Sequence, residues 1–140
     1  MAPDNVRQLR PRGSDSEKIT INLGYVDLGQ IDLLVDEGFY SNRTDFIRTA
    51  IRNQLERQAE VVHKAVTRHS LDLGLRTLGR QELEAAREAG QQLDLRVLGL
   101  LTIASDVSAK LARATIMSLT VLGALHASAE VKAALADRIQ

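Results

Sequence analysis

Lys18-Ile19-Thr20-Ile21-Asn22-Leu23 alternates polar and apolar residues without a break. A period of two over β-branched side chains predicts a strand with one buried face. Ile19, Ile21 and Leu23 then point inward, and Lys18, Thr20 and Asn22 point out. Gly24 ends the run. One short strand beside helices has two unpaired edges and cannot stand alone. The simplest remedy is pairing with the same strand of a second chain, which makes an obligate dimer the expectation.

The period then changes. From Asp27 to Glu37, Leu28, Ile31, Leu34 and Val35 recur at three- and four-residue spacing, which predicts a short helix. Gly38 follows as a helix C-terminal glycine should. After Phe39 and Tyr40, Ser41 is the expected N-cap of a long helix from Asn42 to about Arg68. Phe46, Ile47, Ala50, Ile51, Leu55, Ala59, Val62 and Val66 form its apolar stripe.

Beyond Leu71 the texture becomes rich in Ala and Leu, and the chain matches itself at a shift of about 24 residues. Leu95-Arg-Val97-Leu98-Gly99-Leu-Leu101 falls over Leu119-Thr-Val121-Leu122-Gly123-Ala-Leu125. Asp106-Val107 falls over Glu130-Val131, and Leu111-Ala112 over Leu135-Ala136. Each unit reads as an apolar strand followed by a short helix, capped near Ser105 or Asp106 in the first and near Ser128 in the second. A weaker earlier copy runs through Leu71-Asp-Leu73 and the helical stretch Arg80 to Gly90. Such periods indicate stacked supersecondary units. Two or three units are few for a free-standing solenoid, so their strands should bury against one another or against the partner's copies. The region is either a plain oligomerisation module or an effector-sensing domain, and the sequence names no small-molecule effector.

Composition narrows the function classes. With 140 residues, 44% hydrophobic and 26% charged, the chain should fold as one ordinary domain or two small ones. It has no cysteine, which excludes disulfides and thiolate chemistry and is compatible with a reducing cytoplasm. No membrane span and no signal peptide is visible, so no membrane partner and a cytoplasmic, nucleoid-associated location are expected. An aromatic content of 3% argues against binding single-stranded nucleic acid by base stacking. The formal net charge is zero, so any basic surface must be local. Residues 1–16 contain Pro3, Pro11 and Gly13 and read as a flexible arm carrying Arg7, Arg10 and Arg12. The arm is either a solvated tail or a basic strap along a phosphate backbone.

The order strand, short helix, Gly-aromatic turn, capped long helix resembles the ribbon-helix-helix family of bacterial DNA-binding proteins. The resemblance rests on Lys18 to Leu23, on Ile31-Asp-Leu-Leu-Val35-Asp-Glu-Gly38-Phe-Tyr40-Ser41-Asn42-Arg43-Thr44-Asp45-Phe46-Ile47-Arg48, and on Ala50-Ile51-Arg52. It covers residues 18–57. It implies an intertwined homodimer whose paired strands enter the major groove of double-stranded DNA. Lys18, Thr20 and Asn22 would then read base edges, since lysine can donate to guanine, asparagine can pair with adenine and threonine can meet a thymine methyl. Ser41, Asn42 and Arg43 would hold a phosphate at the N-terminus of the long helix. Ile19, Ile21, Leu23, Ile31, Val35, Phe46, Ile47 and Ile51 would form the dimer core. Tyr25-Val26 stands where many members have a proline, Gly29 lies inside the first helix, and residues beyond 70 have no counterpart in the minimal family domain.

The expected fold class is therefore α+β: an arm (1–16), a ribbon-helix-helix domain with an extended second helix (17–68), and a C-terminal module of strand-helix repeats of about 24 residues (71–140). The expected function is transcriptional regulation, as a repressor, with the C-terminal module setting assembly to a tetramer or higher. The competing readings are a DNA-associated scaffold or partition-type protein and an antitoxin-type autoregulator. Nickel sensing is disfavoured, because His63, His69 and His126 are the only histidines and His63 and His69 are poorly spaced for one helix face. No metal, no cofactor and no catalytic residue is expected, and the chain does not read as an enzyme.

Overall fold

A computed structural model describes residues 16–140. The chain divides into two compact units, Lys18–Ala65 and Val66–Gln140, the second also including the described residues Ser16 and Glu17. Arg7, Arg10 and Arg12 lie outside the described residues.

In the first unit, residues 18–24 lead into α1 (Tyr25–Asp36), followed by α2 (Arg43–Arg57) and α3 (Ala59–Arg68). Lys18 to Leu23 forms no strand in the single chain, contrary to expectation. A strand exists only as part of a ladder, and the described residues of one copy offer this segment no partner strand. α1 starts earlier than the periodicity suggests, taking in Tyr25 and Val26, with Gly24 at its N-cap. It ends in a Schellman arrangement: Gly38, at φ 87°, donates to the Val35 carbonyl at 3.0 Å and Phe39 to the Leu34 carbonyl at 3.0 Å. The long helix is broken at Gln58, whose amide is shared between the carbonyls of Gln54 and Leu55 at 3.2 and 3.1 Å. Neither glycine nor proline marks that break.

This unit barely covers its own apolar groups. Ile31 is its one buried hydrophobic residue among those described. Ile19, Val26, Leu33 and Leu55 are 73%, 74%, 58% and 60% exposed.

The second unit is self-contained. Strands β1 (Asp72–Leu78), β2 (Leu93–Ile103) and β3 (Ile116–His126) form a parallel sheet in the order β1-β2-β3. α4 (Arg80–Glu88), α5 (Ala109–Thr115) and α6 (Ala129–Ala134) follow the three strands in turn. Leu95, Val97, Leu101 and Ile103 alternate along β2 and face the helices, where they meet Leu83, Leu111, Ala112, Val131 and Leu135 in one core. Ser108 and Ser128 cap α5 and α6, accepting from the amides of Leu111 and Val131. The cap of α5 is thus Ser108 and not Ser105 or Asp106. Val107 is drawn into the core ahead of the helix, which delays its start. Beyond β3, Leu119 exchanges backbone hydrogen bonds with Arg138 and Gln140 at 3.0 and 2.8 Å, closing part of that sheet edge.

The residues that match at a shift of about 24 are neighbours in the sheet. Leu95 pairs with Leu119, Leu98 with Leu122 and Gly99 with Gly123, while Gly74 on β1 pairs with Gly99. The three glycines form a row across the sheet, at φ 126°, 138° and 123°. A Cβ on Gly99 would lie 2.1 Å from the Gly74 carbonyl oxygen, and one on Gly123 would lie 2.1 Å from that of Gly99. Each strand's carbonyl therefore occupies the space that the next strand's side chain would need, and only glycine satisfies both the angle and the approach. At Gly74 a Cβ would meet nothing within 4 Å. Gly74→Ala should cost only its backbone strain, roughly 1–3 kcal/mol. Gly99→Ala adds a collision with backbone and should lower the urea midpoint clearly further, which equilibrium denaturation of the two variants will measure.

Candidate nucleic-acid interface

Two stretches of the first unit, one before α1 and one after it, carry the candidate groups. The first is Lys18 to Leu23, every residue of which is exposed. Lys18, Thr20 and Asn22 therefore have no competing burial, and neither do Ile19, Ile21 and Leu23. Of the expected dimer-core residues, Ile31 is buried, Val35, Phe46 and Ile47 are half-buried, and Ile51 is exposed. The single chain begins a core around α1 and α2 and leaves it open. Tyr40 and Phe46 meet edge to face at 5.0 Å, fixing the turn between the helices.

The second stretch is the N-terminus of α2, where Ser41, Asn42 and Arg43 come together. Asn42, and not Ser41, is the N-cap: its side-chain oxygen accepts from the Asp45 amide at 2.8 Å. The Ser41 amide in turn donates to Asp45 Oδ2 at 2.9 Å. This reciprocal arrangement follows the logic of a capping box with asparagine and aspartate in place of serine and glutamate. The extended backbone at Asn42 moves the cap one residue later than the serine suggests.

Arg43 is already engaged. Its Nε and Nη2 donate to Asp32 Oδ1 and Oδ2 at 2.7 and 2.8 Å, a bidentate pair that ties the first turn of α2 to α1. The hydrogen bond from Arg43 holds the Asp32 carboxyl below its ordinary range, and the bond to Asp32 raises the arginine. Both side chains remain about half exposed, so a phosphate can still approach the guanidinium. The sequence pattern alone singles out neither Asp32 nor Asp45. Asp45 is recognisable in principle, three residues after an N-cap asparagine. Asp32 is not, because only the crossing of α1 and α2 brings it to a residue eleven positions away.

Residues 18–65 carry six Lys and Arg against seven Asp and Glu, so bulk attraction to a polyanion does not drive binding here. Recognition must come from placed groups. An exposed alternating segment followed by two helices, the second with a capped N-terminus, has the element order of a ribbon-helix-helix DNA-binding module.

The model of the ribbon-helix-helix transcriptional regulator family matches residues 14–132, and the chain belongs to that family. The match runs well beyond residues 18–57 and includes most of the C-terminal unit. Regulators of this family bind DNA and usually act as dimers. No curated protein and no solved structure matches the chain.

Two outcomes follow from the α2 N-terminus. Asn42→Ala should destabilise the protein by about 1 kcal/mol, the usual cost of losing an N-cap, in chemical denaturation at neutral pH. The Asp32–Arg43 pair stabilises the fold only while Asp32 is ionised. Because the folded carboxyl titrates below its ordinary value of 3.8, the advantage of the native chain over Asp32→Asn is complete above that pH. It should shrink as the pH falls further, through the folded value, in thermal unfolding followed against pH.

Proposed function

We propose that the chain is a sequence-specific repressor that reads the major groove of double-stranded DNA with a two-stranded ribbon, one strand from each protomer. The observation that carries this reading is the interleaving in the unpaired segment. Ile19, Ile21 and Leu23 alternate with Lys18, Thr20 and Asn22, all exposed, immediately before the two helices. Pairing with a second copy would bury the apolar set and leave the polar set as the outer face of the ribbon. Lysine, threonine and asparagine supply the donors, acceptors and methyl contact that base edges in the major groove require. Ser41, Asn42 and Arg43 would anchor the dimer on phosphate, which sets register and carries no sequence information. Arg7, Arg10 and Arg12 would add further grip along the backbone.

In this reading the C-terminal unit is a module of strand-helix repeats that governs assembly above the dimer. The second reading is a DNA-associated scaffold, favoured by the leucines that remain exposed on the sheet of that unit. Light scattering separates the two. A repressor can work as a dimer or tetramer, whereas a scaffold grows with concentration and is reduced to a dimer by truncation after Arg68.

Selection of bound sequences from a random duplex pool tests the central claim: a short repeated half-site is expected, and the absence of salt-sensitive binding to any duplex refutes it. Asn22→Ala should cost about 1–3 kcal/mol on the selected site and far less on unrelated duplex. Arg43→Ala should weaken both alike. Deleting residues 2–15 should flatten the dependence of log affinity on log salt, by about 0.9 for every phosphate that the arm no longer neutralises.

A further inference from the structure

Among the described residues, the sheet of the second unit has helices on one face only. The middle of the other face is two apolar rows in register, Leu73, Leu98 and Leu122 side by side and then Leu75, Leu100 and Ala124, bordered by Thr77, Thr102 and His126 on one side and by Arg96 and Thr120 on the other. Leu73, Leu75 and Leu122 are 71%, 65% and 53% exposed. Parallel sheets are almost always covered on both faces, because their backbone and apolar side chains tolerate water poorly. We propose that this face packs against the same face of a second copy of the chain.

The composition of the face selects the occupant. Neither central row contains a charged or hydrogen-bonding side chain, so the middle of the face offers nucleic acid or an acidic peptide no partner group. Arg96, in the neighbouring row, is engaged by Asp94 at 3.3 Å and by the His69 carbonyl at 3.1 Å. Ser16 and Glu17 border the cleft over Gly99 and Gly123, so the arm is the other occupant to weigh. Residues 1–15 contain three arginines, two aspartates and two prolines, with Val6 and Leu9 as their only branched apolar residues. They are too polar to cover five leucines. An identical leucine face is not.

Size then decides how the two faces are held together. Strands about 4.8 Å apart and rows about 6.6 Å apart give the patch a footprint of roughly 200–300 Å². A free-standing dimer needs about 800 Å² from each partner. The patch would not hold two free chains together. It can hold two copies already joined through their ribbon-helix-helix units, where the tether supplies an effective concentration on the order of millimolar. The proposal rests on the dimerisation proposed above for the ribbon-helix-helix units, within which the two sheet faces would meet, and it does not depend on DNA binding.

The full-length chain has no cysteine, so one can be placed at will. Leu100→Cys lies at the middle of the face and Lys110→Cys on α5, in the helix layer. A bis-maleimide spanning about 10 Å, the spacing of packed sheets, should link Leu100→Cys into a covalent dimer at least tenfold faster than Lys110→Cys. Adding Leu75→Asp and Leu122→Asp, both at exposed positions, should abolish the link while circular dichroism stays native. Ala124→Cys serves as a second reporter should Leu100→Cys misfold. A thiol that is shielded but never crosslinked identifies the arm as occupant and overturns the proposal, most directly if deleting residues 2–15 unshields it. A thiol that reacts freely and forms no link also overturns it. Duplex binding measured on the same samples separates the two claims: crosslinking without DNA binding sinks the repressor reading and leaves this one standing.

Discussion

Lys18 to Leu23 carries backbone donors and acceptors along both edges, and among the described residues no strand pairs with them. The rest of the first unit follows from that deficit. Ile19, Ile21 and Leu23 are exposed, and α1 and α2 bury one residue, Ile31, between them. So open an arrangement cannot offset the conformational entropy of ordering some fifty residues, which runs to about 1–2 kcal/mol each for the backbone alone. In the proposed dimer, a second copy would supply the missing ladder and the missing core at once. In the proposed regulator, folding of this unit, dimerisation and creation of the DNA-reading surface are therefore one event, and stability depends on protein concentration.

The C-terminal unit solves the same problem differently. Its three strands satisfy one another in parallel, and α4, α5 and α6 seal one face over a continuous core. The glycine row at Gly74, Gly99 and Gly123 permits the carbonyls of successive strands to intrude where side chains would stand. What remains unsolved is the other face. Both units thus end with apolar surface that the described residues of one copy do not cover, and the proposed dimer would be the common remedy.

Charge explains less than it usually does for a protein that meets DNA. The chain is neutral overall, and its most prominent candidate for a phosphate partner, Arg43, is shared with Asp32. A bidentate partner holds the guanidinium in one place, at the first turn of α2 beside the helix amides. Pre-positioning of that kind lowers the entropy given up on binding and favours register over raw affinity.

The sequence by itself determined the local elements. The switch from period two at Lys18–Leu23 to helical spacing after Gly24, the glycine stop at Gly38, a polar cap near residue 41 and the serine cap at Ser128 are all short-range patterns, and each is recorded within a few adjacent residues. The residues of the 24-residue self-match lie side by side on β2 and β3, but the self-match alone left open whether those strands pack against one another or against a partner's copies. Other features belong to the tertiary structure alone, because they depend on groups distant in the chain: the Asp32–Arg43 pair, the parallel order of the three strands and the confinement of helices to one face of their sheet. The alternating segment shows the division most directly. Its residues determined which side chains would share a face, but a ladder requires a partner strand, and the described residues of one chain do not contain it.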